Sequence, residues 1–181
     1  MLVVAIIGMM AAAVAPAIAT AMAEGRASSA SVDLVRLGGR ARVETLSTGL
    51  AHLLRYSQVE YGQGQDKLGL VQLLRGNRNI CNMMQGVWDN NNSVLIDRVD
   101  MTDYNLGVTH KINLQPINQG DVTTFDICFQ PDGTMRTRAV TGPFNFGGDV
   151  EFSITRTIGG HQQGPQRLVL FTSGGFARLE R

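Results

Sequence analysis

The chain opens MLVVAIIGMMAAAVAPAIATAMAEG: no Asp, Glu, Lys or Arg precedes Glu24, and a proline stands at position 16. As a helix, such a run rises about 1.5 Å per residue to roughly 35 Å, enough for the ~30 Å hydrocarbon layer of a membrane. Pro16 is tolerable there, because it removes one backbone hydrogen bond and bends a span without breaking it. A secretory signal peptide is the alternative, and Ala21-Met22-Ala23 ahead of Glu24 would serve as its cleavage site. Against it, such peptides begin with a basic segment, and the first basic residue here is Arg26.

Helical pattern continues past the apolar run. Val32, Leu46, Leu50, Leu53 and Leu54, with Val35 and Val43 nearby, fall close to one stripe at three- and four-residue steps. Arg36, Arg40, Arg42, Glu44, His52 and Arg55 take much of the remaining surface. Gly25, Gly38-Gly39 and Gly49 interrupt the pattern, each weakening a helix by about 1 kcal/mol without forbidding it. The spacing predicts one helix from Met1 to about Tyr56, apolar all round at first and amphipathic afterwards. That gives three regions: 1–23 as a membrane span, 24–57 packed on a head, and 58–181 as the head.

Beyond Tyr61 the composition turns to Gly, Asn, Gln and Thr, the vocabulary of short strands and turns. Leu68 to Leu74 reads as a short helix or a first strand. Strand-like runs follow at Val94–Val99, Val108–Leu114, Thr123–Phe129, Thr134–Val140, Val150–Thr157, Arg167–Thr172 and Phe176–Leu179. Pro131-Asp132-Gly133 and Ser173-Gly174-Gly175 supply turns between neighbouring runs. Leu168–Phe171 is continuously apolar, which predicts cover on both faces, with the helix on one side. The fold class is therefore α+β: a long N-terminal helix laid on an antiparallel, sandwich-like head. Cys81 and Cys128 are the only cysteines. In an exported protein an even pair reads as one disulfide, and in the cytosol as two buried thiols.

Several chemistries find no support. The net charge of +1 recruits neither nucleic acid nor acidic lipid. Asp97, Asp100 and Asp103 lack the following Glu of a calcium loop, and three-residue steps along a strand scatter carboxylates over both faces. His52, His110 and His161 are isolated in sequence, no G-x-S-x-G elbow occurs, and Gly62-x-Gly64 lacks the third glycine of a nucleotide loop. No catalytic residue, metal or cofactor is assigned. Trp88, Phe144 and Phe146 read as core packing first, and as exposed contacts second. The glycine-rich loops TGPFNFGGD and IGGHQQGP make Phe144, Phe146 and His161 the candidate recognition residues of the head.

The opening MLVVAIIGMMAAAVAPAI resembles the N-terminal helix of type IV pilins and type II secretion pseudopilins. In those proteins an apolar run ends in Ile-Ile-Gly with a proline eight residues later, the spacing of Gly8 and Pro16 here. ICFQPDGTMRTR and the later QRLVLFTSGGFARLER are similar to the paired C-terminal strands of GspH/FimT-type minor pilins. The resemblance implies a leader ending in Gly and a glutamate ahead of Met1, and no residue of this sequence carries that glutamate's role. It further implies a non-enzymatic structural subunit of a type IV pilus or a type II secretion pseudopilus, in initiation or at the tip. Such a subunit sits single-pass in the bacterial inner membrane with a periplasmic head, then passes through an assembly platform into the fibre. Its partners would be major and minor pilins or pseudopilins, and a tip adhesin or secreted substrate. Val3, Val4, Ile6, Ile7, Gly8, Ala12, Ala15, Pro16 and Ile18 would form the membrane and assembly helix, with small residues permitting close helix approach. The alternative is a secreted β-sandwich binding module with 1–23 as its signal peptide.

Overall fold

The computed structural model describes residues 2–60, 67–81, 88, 93–104, 109–115, 124–139, 143–146, 148–158, 161–162, 167–172 and 174–180. Side chains of the N-terminal helix are described at positions 14, 18, 21, 22 and from 24 onward. That helix, α1, is continuous over Leu2–Thr48. Its end comes eight residues before the Tyr56 that periodicity predicts. Gly49 adopts φ +68°, a left-handed conformation that caps a helix at little steric cost for a residue lacking Cβ. Its N–H donates to the Thr45 carbonyl at 3.1 Å, and the Leu50 N–H reaches the Thr48 hydroxyl at 3.3 Å.

The residues expected to extend the helix instead form strand β1 (His52–Glu60). Leu50, Leu53 and Leu54 do sit at helical spacing, but β1 is central and satisfies its backbone on both sides. It pairs antiparallel with β2 (Lys67–Arg75) along one edge and with β5 (Thr124–Phe129) along the other. The remaining elements are β3 (Val94–Asp100), a 3-10 turn η1 (Met101–Tyr104), β4 (Thr109–Gln115), β6 (Met135–Ala139), β7 (Asn145–Phe146), β8 (Val150–Ile158), β9 (His161–Gln162), β10 (Arg167–Phe171) and β11 (Ala177–Glu180). One sheet runs in the order β3-β2-β1-β5-β6-β7, and the other β11-β10-β8-β4, with β9 paired on β8. All seven predicted runs of the later head are strands, and Leu68–Leu74 is one as well. The two predicted turns close as expected: the Gly133 N–H donates to the Gln130 carbonyl at 3.0 Å, and Gly175 to Thr172 at 2.7 Å. The architecture is α+β, one long helix packed on antiparallel sheets.

The main core lies where α1 meets both sheets. Ala27, Ala30, Leu34, Leu37 and Ala41 of the helix join Leu54, Tyr56, Val71, Leu73, Phe125 and Ile127 of the first sheet, and Phe152, Ile154, Val169 and Phe171 of the second. The ring of Phe152 links the two sheets, edge-on to Tyr56 at 6.2 Å and to Phe171 at 5.4 Å between centroids. In β10 the continuous apolar run resolves into Val169 and Phe171 facing this core and Leu170 half-buried. The helix approaches so closely that a Cβ on Gly38 would lie 2.6 Å from the Phe171 ring and 2.9 Å from Ala177 Cβ.

The first sheet buries its other face too. Alternation along β1 sends Leu54 and Tyr56 to the main core, and Leu53 and Arg55 to the opposite side. There Ala51, Leu53, Leu74, Cys81, Trp88, Cys128 and Phe144 form a second cluster. Cys81 and Cys128 are joined in a disulfide, with Cα atoms 5.9 Å apart and 47 positions separating them in sequence. The bond fastens the segment after β2 to β5, and so holds a cover over that face. Beside it, Asp126 accepts hydrogen bonds from Arg55 Nε at 2.8 Å and from Arg138 Nε at 2.7 Å, all three side chains being largely buried. Cross-strand register puts both arginines directly opposite the aspartate. A charge at such depth is tolerable only when paired like this.

Two expectations follow for denaturation of the full chain. Gly38→Ala gains about 1 kcal/mol of helix propensity, but forces Phe171 and Ala177 apart in a filled core, a cost of about 1–3 kcal/mol. Its midpoint is therefore expected to fall, and a raised midpoint would contradict the close approach. The Cys81→Ser, Cys128→Ser double variant is expected to lose about 2–5 kcal/mol, and reductant should no longer lower its midpoint.

Candidate assembly surface

Helix α1 has two distinct faces along the length packed on the head. The inward face is Ala27, Ala30, Ser31, Leu34, Leu37, Gly38, Ala41 and Thr45, all buried. Small residues dominate it because the sheets come close. Ser31 and Thr45 would leave hydroxyls unsatisfied there, and each instead donates to the carbonyl four residues back, at 2.8 and 2.7 Å.

The outward face reverses the sequence expectation. Val32, Val43 and Leu46, expected on the stripe toward the head, point away from it. With Val14, Ile18 and Met22 they are 52–65% exposed. Their steps of three, four and sums of these keep them on one side of the helix. Bulky β-branched side chains would hold the helix off the sheets, so the close contact selects alanine and glycine inside and leaves valine outside. The signal for the true inward face was present: Ala27, Ala30, Leu34, Gly38 and Ala41 recur at three- and four-residue steps.

One arginine interrupts the outward stripe. Arg36 is 60% exposed and meets Asp33 at 3.2 Å, an exposed pair that contributes little to stability. The flanks are where the polar groups hold the helix down. On one side Arg40 reaches Asp97 of β3 at 2.7 Å, and the Tyr104 hydroxyl of η1 donates to Asp33. On the other side Arg42 donates to the Gly174 carbonyl at 3.0 Å, and its guanidinium lies 3.6 Å from the centre of the Phe176 ring. Neither clamp is visible as a motif, since each joins residues far apart in sequence.

Of the residues expected to form the membrane and assembly helix, Val3, Val4, Ile6, Ile7, Gly8, Ala12, Ala15 and Pro16 lie on helical backbone, and α1 passes Pro16 without a break. Their side chains lie outside the described residues. Ile18 is described and faces outward. Among the described residues no helix is long and apolar enough to cross a membrane; most side chains of the apolar opening fall outside them. Within the described residues α1 contributes nothing to the core before Ala27.

The candidate recognition residues are placed unequally. Phe144 is only 5% exposed, packed in the second cluster with the Arg138 guanidinium 4.5 Å from its ring centre. Its ring, like that of Trp88, fills core and is not presented to a partner. Phe146 and His161 lie on the backbones of β7 and β9, and their side chains fall outside the described residues. In the aspartate series, the Asp97 carboxylate is engaged by Arg40 and by the Arg98 N–H.

No family model matches the chain, and no curated protein matches it. Among solved structures, the type IV minor pilin FimU of Pseudomonas aeruginosa aligns with 85% of this chain and 92% of its own, at 17% identity and a TM-score of 0.43. At that overlap the likeness carries no weight of its own.

The two faces of α1 make opposite predictions under substitution. Leu34→Ala or Leu37→Ala is expected to cost about 2–5 kcal/mol. Val32→Ser and Val43→Ser, on the outward stripe, are expected to shift stability by no more than about 0.5 kcal/mol. Thermal melts of the four variants check this, and equal losses on both faces would contradict the assigned orientation.

Proposed function

We propose that the chain is a minor pilin or pseudopilin, a structural subunit of a fibre and not an enzyme. The observation that carries this reading is the single continuous helix. It joins a charge-free apolar opening to a second half locked onto a β-rich head and, among the described residues, enters the core only from Ala27. A cleavable secretion signal has no need to continue unbroken into a segment that forms part of a folded domain.

The helix then works in two environments. Residues 1–23 rest in the inner membrane before assembly, with the head on the periplasmic side, where a disulfide such as Cys81–Cys128 is maintained. On assembly the apolar surface moves from lipid to neighbouring helices. Since lipid tails are about as apolar as side chains, association there draws on close packing of small residues such as Ala11 to Ala13, Ala15, Ala17 and Ala19. The second half acts as a rigid stalk, because Arg40–Asp97 and Arg42–Gly174 fix it to the head on both flanks.

The test is alkaline extraction of membranes from cells producing the full chain, with mass spectrometry of the mature N-terminus. The wild type is expected to stay in the membrane fraction with residues 1–23 attached. Val14→Asp, which costs about 2.5–3.5 kcal/mol when placed in a membrane, is expected to be released while its head melts unchanged. A mature chain beginning at Glu24 would overturn the reading in favour of a secreted binding module.

A further inference from the structure

The junction where α1 gives way to β1 contains a buried histidine that neither the packing nor the proposed assembly role requires. His52 is the first residue of β1, only four positions beyond the last residue of the helix, and its side chain is fully buried. Register places it between Arg75 of β2 and Phe129 of β5. Strand alternation turns its ring to the same side as Leu54 and Tyr56, which line the main core. The ring nitrogen Nδ1 lies 3.0 Å from the Leu50 carbonyl. A carbonyl only accepts, so Nδ1 carries the hydrogen, and burial favours the neutral ring in which Nε2 is bare. That Nε2 is buried without a hydrogen-bond partner.

The link it braces is short and depends on few bonds. The Gly49 N–H donates to Thr45, the Ala51 N–H to the Arg78 carbonyl at 2.7 Å, and the Gly76 N–H to the Ala51 carbonyl at 2.9 Å. The Nδ1–H to Leu50 bond ties the first residue of the sheet to the peptide that leaves the helix. A second proton on the ring would place a cationic N–H at Nε2 with no acceptor. A buried charge without partners is among the costliest arrangements in a protein, and the ring can relieve it only by leaving its site.

We infer that His52 is an acid-sensitive latch: neutral, it holds the helix–head junction closed, and its protonation opens the segment from the last turn of α1 into the start of β1. Two charged groups face it, Glu44 from α1 and Arg75 from β2, and they oppose one another. Burial outweighs both, and outweighs the Leu50 carbonyl, holding the imidazole below its ordinary 6.5. The sign follows from linkage. The lowered value means the neutral ring stabilises the closed junction in full above 6.5; that contribution declines as pH falls from there and is lost once the folded-state value is passed. Within that window each opening takes up one proton, so the open fraction rises by up to about tenfold per pH unit.

Amide hydrogen exchange of the full chain in mild detergent, corrected for intrinsic rates and read between about pH 7.5 and about pH 5, tests the latch. Protection of residues 44–54 is expected to fall toward the tenfold-per-unit limit below 6.5, while strands β8 and β10 of the other sheet hold theirs. His52→Gln and His52→Phe cannot gain the charge and are expected to abolish the pH dependence at the junction. An unchanged acid response in either variant, a wild-type junction indifferent to acid, or opening spread evenly over the head would overturn the proposal. Should both variants fail to fold, a magnetic-resonance titration of the wild-type imidazoles decides: a His52 ring titrating at the ordinary value contradicts the latch.

Discussion

The close seating of α1 on the two sheets governs the rest of this molecule. At Gly38 the helix backbone is within reach of Phe171 and Ala177, and no side chain larger than hydrogen fits between them. From that approach follow the alanines at 27, 30 and 41, the hydroxyls of Ser31 and Thr45 folded back on their own helix, and the expulsion of Val32 and Val43 to the outer side. Leu34 and Leu37 supply the bulk that fills the seam on either side of the closest contact. The helix thus contributes fit more than volume, and the aromatic residues of the sheets contribute volume.

The first sheet is unusual in being buried on both faces by different means. One face meets the helix and the second sheet across a large apolar core. The other is closed by a smaller cluster, to which the disulfide and the Asp126 arginine pairs add fixed links. β1 lies between them, with Leu54 and Tyr56 in one core and Leu53 in the other. The same centrality explains why an ionisable ring at its first position, His52, has nowhere to hold a proton.

An outward apolar stripe on a helix already anchored to its own head suits a stalk that meets other helices. Val14, Ile18 and Met22 continue into Val32, Val43 and Leu46 along one side, so the surface does not end where the head begins. The Arg40–Asp97 pair and the Arg42–Phe176 stack lie on the flanks, while Arg36 interrupts that side. Anchoring and presentation are therefore divided between different faces of one helix.

Much of this was legible in the residue order. The helical opening, the seven later strands and the turns at Pro131–Gly133 and Gly174–Gly175 each follow from local patterning or turn chemistry, which act over a few residues, whereas the cysteine count left a disulfide and two buried thiols both open. What the order left undecided were competitions between local signals and partners distant in sequence. Leu50, Leu53 and Leu54 carry helical spacing, yet β2 and β5 offered that segment two hydrogen-bonded ladders, and a central strand outcompetes one more turn of helix beyond Gly49. The valine stripe looked like the inward face because hydrophobicity alone does not report how near the sheets approach. Phe144 reads in sequence as core first and as a loop contact second, and it packs as core beside Arg138 in the second cluster. The sequence by itself determined that a long helix with an apolar opening would precede a β-rich head carrying two cysteines. Only the tertiary structure decided which side of that helix faces inward, because that choice depends on the distance between surfaces contributed by opposite ends of the chain.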